Sequence, residues 1–202
     1  MHKYWQGLLS HYSSSGPRRV AMDGPIVVMG ICGTYDLKSA NGSLLKIALD
    51  LCEEKGAEVT IWDNNISPLP LVGEEGCWEH PNVKSYKEIA ESADAFLLSS
   101  PEYHGTMSGV MKNNLDWLSS SQTSGKLFGL MSTLGGQSTS NTLNHMRIAV
   151  RWIHGWAVPE QVAVPQIKDA FDDSGNIASE LINERIEGMV ESIISNSIKL
   201  RR

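Results

Sequence analysis

Three short stretches of this 202-residue chain gather the hydroxyls, amides, aromatics and glycines that can hold a small ligand. The first runs Gly30-Ile31-Cys32-Gly33-Thr34-Tyr35-Asp36-Leu37-Lys38-Ser39-Ala40-Asn41-Gly42-Ser43, immediately ahead of a helical stretch. A helix N-terminus presents unpaired N–H groups and roughly half a positive charge, a setting that suits phosphate. An Asn/Ser N-cap on a turn accounts for the same residues equally well. Neither the Gly-Lys-Ser/Thr of a Walker loop nor Gly-x-Gly-x-x-Gly occurs there. The second stretch, Ser100 to Trp117, has Pro101 at a strand end, Gly105 in a turn, Ser108 at an N-cap, and Tyr103 offering a flat π surface. A core tyrosine is the plain alternative, but loop aromatics between Gly and Pro are less often core. The third, Ser132-Thr133-Leu134-Gly135-Gly136-Gln137-Ser138, carries adjacent glycines past which a ligand can approach the backbone. Metal and disulfide chemistry find no support. Cys32, Cys52 and Cys77 form no Cys-x-x-Cys pair, and the histidines show no metal spacing.

The elements that must position these loops alternate along the chain. Ile26–Ile31 is an unbroken apolar run, as expected of a strand covered on both faces. Ser43–Lys55 places Leu44, Leu45, Ala48, Leu49 and Cys52 at helical spacing, with Gly56 at the C-cap. Further strands are predicted at Ala57–Trp62, Ala95–Leu98, Leu127–Ser132 and Gln161–Val164. Helices are predicted at Pro81–Ser92, Gly109–Ser119, Asn141–His154 and Ser179–Leu200. Strands alternating with helices imply a parallel sheet with right-handed crossovers and helices on both faces. Five such units match an α/β three-layer sandwich of the flavodoxin-like kind, strand order 2-1-3-4-5. Ligands there bind beyond the carboxyl ends of the strands, at the switch point between strands 1 and 3. The loops after Ile31, Ser100 and Ser132 are the ones this topology selects.

Composition narrows the class. Hydrophobic residues make up 41% and charged residues 20%, values of one globular domain. A net charge of −6 argues against a nucleic-acid partner, which would call for a basic face. No apolar run approaches the roughly 20 residues of a membrane span, so the expected location is cytoplasmic. Residues 1–24 differ from the rest: acid-free to Met22, with Ser13-Ser14-Ser15-Gly16-Pro17 and Arg18-Arg19. They are expected to form a disordered N-terminal extension, with a transit peptide as the alternative, and the folded domain is expected over 25–202.

The second stretch also carries a resemblance. Pro101-Glu102-Tyr103-His104-Gly105-Thr106, followed by Gly109, Lys112-Asn113 and Asp116, resembles the Pro-Glu-Tyr-Asn-Gly-Ser…Gly…Lys-Asn…Asp signature of the NADPH-dependent FMN reductase family. The likeness extends from about Ile26 to Pro165 in the order of elements. Thr34, Ser39 and Asn41 fall in register with that family's Ser-x-Arg-x-x-Ser-x-Asn phosphate loop. Ser132 with Gly135-Gly136 is similar to its Ser-x-x-Gly-Gly stretch beside the flavin pyrimidine. Two departures stand out. His104 replaces the usual Asn, and Asp36 replaces the usual Arg, where an acid must point away from a phosphate and leave Lys38 to supply the charge.

The resemblance implies FMN as cofactor, bound by Thr34, Ser39, Asn41, Pro101, Glu102, Tyr103, His104, Gly105, Thr106, Ser132, Gly135, Gly136 and Gln137. It implies hydride passing from NADPH or NADH via flavin N5 to a small acceptor such as a flavin, quinone, azo or nitro compound, or metal oxyanion. Both substrates would share one flavin face in ping-pong turnover. The chemistry then belongs to FMN, so no side chain is assigned as catalytic. Backbone N–H groups at Gly135, Gly136 and Gln137 would favour negative charge on the reduced ring. Glu102 is expected to pair with Lys112. The long loop Asp63–Pro81 is expected to roof the acceptor pocket, with Trp78 as an apolar wall; a surface loop packed on the second helix is the plain alternative. By the same likeness the chain would assemble as a homodimer or homotetramer; the apolar third-helix stripe and Arg147–Ile153 suit such an interface, and core packing accounts for them equally well. A flavodoxin-type electron carrier without NAD(P)H turnover is the competing reading.

Overall fold

In a computed structural model, residues 24–137, 140–172 and 175–201 are described. All of the expected N-terminal extension except Gly24 lies outside them. Five parallel strands form the sheet: β1 (Val27–Cys32), β2 (Glu58–Trp62), β3 (Ala95–Tyr103), β5 (Leu127–Thr133) and β6 (Trp156–Val164). Their order, β2-β1-β3-β5-β6, is the one expected, with a two-residue strand β4 (Thr106–Met107) added antiparallel to β3. Register is fixed along the centre by pairs such as Gly30↔Leu97 and Leu97↔Gly129. The central strands are buried along almost their whole length, which is why they read as continuous apolar runs.

Helices cover both faces. α1 (Ala40–Glu54) and α6 (Glu180–Leu200) pack on one side through Leu44, Leu45, Ala48, Ile186, Met189 and Ile193. On the other lie α2 (Pro81–Ser92), α3 (Gly109–Asp116), the single turn α4 (Ser120–Thr123) and α5 (Ser140–Trp152). That second core centres on Phe96 stacked on Phe128 at 4.5 Å, with Tyr86, Met111 and Trp117 around them. Tyr86 donates its hydroxyl to the Asn114 carbonyl at 3.1 Å, and full burial holds its phenol well above the usual range.

Boundaries move for identifiable reasons. α1 starts at Ala40 because Ser39 is its N-cap, accepting from Gly42 N. α3 stops at Asp116, where the Trp117 indole turns to donate to the Pro70 carbonyl at 2.8 Å. β6 begins at Trp156, well before the expected Gln161. Its Pro159 is tolerated because β6 is an edge strand whose register with β5 jumps between Phe128↔Ala157 and Leu130↔Gln161. Arg147 closes that bulge, donating to the Pro159 carbonyl and to Gln161 Oε1.

Candidate functional site

The carboxyl ends of β1, β3 and β5 bring the three loops together. After β1 the chain turns so sharply that a Cβ at Gly42 would lie 2.0 Å from the Leu37 carbonyl oxygen. Only glycine lets loop 33–39 fold across the first turn of α1. Within that loop Thr34 and Ser39 join their hydroxyls at 2.9 Å, and Thr34 also donates to the Asp36 carbonyl. Asp36 is exposed, and its carboxylate accepts from Lys38 N rather than facing the loop interior. Buried Asn41 bridges strand tips instead: its amide donates to Thr133 Oγ1 at 2.7 Å, and its oxygens receive the Ser99 hydroxyl. The cradle is tied from the first loop to the third.

The second loop is a hairpin that the sequence did not show as one. Glu102 pairs with Met107 and Tyr103 with Thr106, leaving His104 and Gly105 as a two-residue turn with φ of 52° and 79°. Positive φ at both positions marks the I′ turn that matches strand twist. His, like Asn, is among the residues that tolerate this region, so the departure at His104 keeps the turn. Pro101 is buried, and Tyr103 stands 57% exposed at the sheet edge. Beneath the hairpin, Ser108 accepts from Met111 N and donates to the Gly33 carbonyl at 2.6 Å, joining first loop to second.

The third loop holds its own backbone inward. Gly136 O accepts from Gln166 N at 2.8 Å, and Leu134 exchanges bonds with Val164 and Ile167. Gly135, Gly136 and Gln137 are exposed, and among the described residues nothing lies within 4 Å of where a Gly135 Cβ would sit. Ser132 Oγ is buried and has no partner among the described residues.

One expectation needs correcting. Glu102 does not meet Lys112, which pairs with Asp116 one helical turn on; Glu102 Oε2 accepts from Thr142 N at 3.1 Å, at the start of α5. Helix N-termini hold carboxylates well, so this partner won. The loop after β2 does fold over α3, but a different part of it forms a wall. A cleft of about 350 Å³ is lined by Tyr35, Leu69, Leu71, Glu74, Asn113 and Asn114 among others, and Trp78 is not one of them. Trp78 packs edge-on against Trp117, with ring centroids 5.2 Å apart, beside the Lys87 ammonium.

A profile of the NADPH-dependent FMN reductase family matches residues 26–169. The chain belongs to this family. Among its relatives, a Staphylococcus saprophyticus protein named FMN-dependent NADPH-azoreductase is 35% identical over 82% of the chain and 92% of its own length. An Acidithiobacillus ferrooxidans protein named NADPH-dependent FMN reductase ArsH is 31% identical over 72% of the chain, and the chain spans 62% of that protein's length. In fold the chain is similar to FerB, a flavoenzyme NAD(P)H:(acceptor) oxidoreductase of Paracoccus denitrificans, with a TM-score of 0.72 at 22% identity, covering 86% of this chain and 97% of the other.

The residues present fit FMN. The pinched turn at Gly42 sets hydroxyls beside the α1 N-terminus, where a phosphate gains most. Exposed Tyr103, the open Gly135 edge and the Ser132 hydroxyl, without a partner among the described residues, would suit a ring face and polar contacts. His145 is exposed on α5, as a surface histidine would be, but the sequence did not show that its Nδ1 lies 2.7 Å from Thr106 Oγ1. The contact joins residues 39 apart on different elements, and no local pattern signals that.

Proposed function

We propose that this FMN reductase oxidises NAD(P)H and reduces a small, uncharged aromatic acceptor, a quinone, azo or nitro compound or a free flavin, in ping-pong turnover. The observation that carries the reading is the convergence of three cradle loops on one open edge at the switch point of the sheet. Bound FMN supplies the redox chemistry, accepting a hydride equivalent from the nucleotide and yielding it to the second substrate. The protein's part is to bind and orient. Thr34, Ser39 and the first turn of α1 would hold the phosphate, Pro101–Thr106 would flank the ring, and Gly135–Gln137 would place N–H groups beside its pyrimidine. Asn41 and Ser108 keep the three loops in register.

The preference for an uncharged acceptor rests on charge. Among the described residues lining the cleft beside the first loop, Glu74 is the one charged residue, while exposed Asp36 and Lys38 on that loop offset each other. A metal oxyanion approaching this side meets the Glu74 carboxylate. The same reading assigns a homodimer or homotetramer built through α3 and α5. Ile148 and Trp152 are 53% and 71% exposed there, along an apolar groove of about 620 Å³, and exposed apolar surface of this kind marks contact sites. The test is steady-state kinetics of the purified protein with NADPH and NADH against menadione, an azo dye and chromate. Parallel double-reciprocal lines with the aromatic acceptors support the proposal. A yellow protein that oxidises neither nucleotide with any acceptor favours an electron carrier.

A further inference from the structure

We infer that His145 is a positioning residue for the cofactor site, acting through Thr106 to hold the Tyr103-bearing hairpin against α5; the inference rests on the FMN reading above. The hairpin has two residue pairs, Glu102↔Met107 and Tyr103↔Thr106. So short a ribbon is marginal in water and needs anchoring from outside. α5 provides an anchor for each strand. From β3, Glu102 Oε2 accepts from Thr142 N at 3.1 Å; from β4, Thr106 Oγ1 meets His145 Nδ1 at 2.7 Å. Thr142 and His145 are three apart, neighbours on one face of the helix. Between the anchors, Met107 of β4 joins Leu143 and Met146 of α5 in the second core.

α5 packs on β5, which leads into the third loop, so this clamp ties the hairpin to the layer that carries that loop. The Thr106 bond matters most, because Thr106 is itself expected to touch the flavin. A hydroxyl has one proton and chooses one direction for it. Whichever partner donates, the 2.7 Å contact fixes the Thr106 oxygen and the rotamer that carries it. Thr142 and His145 are not ligand contacts in their own right; each sets where a contact stands.

The test uses the full chain, FMN titration by quenching of flavin fluorescence, and the visible circular dichroism of the bound flavin. His145→Leu removes the bond while keeping an apolar stem in the groove. His145→Asn retains a polar atom near the Nδ1 position. His145→Leu is expected to weaken FMN binding roughly tenfold, the worth of one well-placed hydrogen bond, and to alter the dichroism. His145→Asn is expected to restore both. Thr106→Val should cost less FMN affinity in the His145→Leu background than in the wild-type background, the signature of a coupled pair. His145→Leu binding FMN with unchanged affinity and dichroism overturns the role of His145, as does an Asn variant no better than Leu. Wild-type protein that fails to quench flavin overturns the FMN reading, and this inference with it.

Discussion

The two most marked departures from the family's pattern, Asp36 and His104, behave differently, and each yields a prediction. Asp36 stands exposed on the phosphate loop with its carboxylate bonded to Lys38 N. The turn is thereby supported, yet a negative charge stays beside the expected phosphate. Asp36→Asn retains an acceptor for Lys38 N and removes the repulsion. FMN affinity should rise about two- to fivefold, the worth of an exposed charge pair, and the gain should fade at about 1 M salt. Titrations at two ionic strengths check this; a gain indifferent to salt would rule out the electrostatic cause. At His104 the constraint is backbone shape, with φ at 52°. His104→Asn should leave the melting temperature and FMN affinity intact. His104→Val, β-branched in a left-handed turn, should cost about 1–2 kcal/mol in denaturant unfolding. A valine variant as stable as wild type would show that the turn relaxes.

At the scale of elements, the sheet order was legible because five apolar runs alternate with helical stretches, and parallel sheets admit few topologies. β4 was not legible, since two residues carry no period, although His104-Gly105 between Tyr103 and Thr106 was a turn signal. The early start of β6 was hidden by Pro159, which reads as a break until the bulge is known. Of the site, the loops were legible from topology and the motif, whereas Glu102 on α5 and Trp78 on Trp117 depend on tertiary neighbours. α1 shows how firmly an element can be specified. The atoms facing a Gly42 Cβ belong to the Leu37 backbone, which cannot rotate away. Gly42→Ala should therefore cost roughly 3 kcal/mol and weaken FMN binding together; loss of neither, by melting and titration, would show the loop free to move. Burial on the same helix pushes the Cys52 thiol up to about 12. The unfolded thiol ionises near pH 8.5, so stability is retained below that pH and declines as pH climbs toward 12. Urea unfolding from pH 8 to 10.5 should show this decline, shallower in Cys52→Ala.

The whole molecule divides its labour between the two ends of the sheet. The cradle occupies the carboxyl ends of the strands, while the polar contacts that close the fold lie at the amino ends. Arg201, just past α6, forms an ion pair with Asp94 and donates to the carbonyls of Gly24 and Pro25 ahead of β1. Asp94 in turn accepts from Val27 N at 2.8 Å, so one guanidinium joins the last helix to the first and third strands. The buried Lys126 ammonium, at the start of β5, caps the final carbonyls of α2 at Ala90 and Glu91. The side chains of Arg201 and Asp94 are 11% and 12% exposed. Removing one leaves the other charged and largely desolvated, which costs more than an exposed pair would. Arg201→Ala should lower stability by about 2–3 kcal/mol, a fall of roughly 5–10 °C in melting temperature at this size. Arg201→Lys should recover only part, because an ammonium cannot span two carbonyls and a carboxylate with fixed geometry. Well below the melting point, FMN affinity of the alanine variant should match wild type, since the cradle sits at the other end of the strands. A variant that melts normally would show the clasp to be ornamental, and one that binds FMN poorly while folded would show that the two ends are coupled.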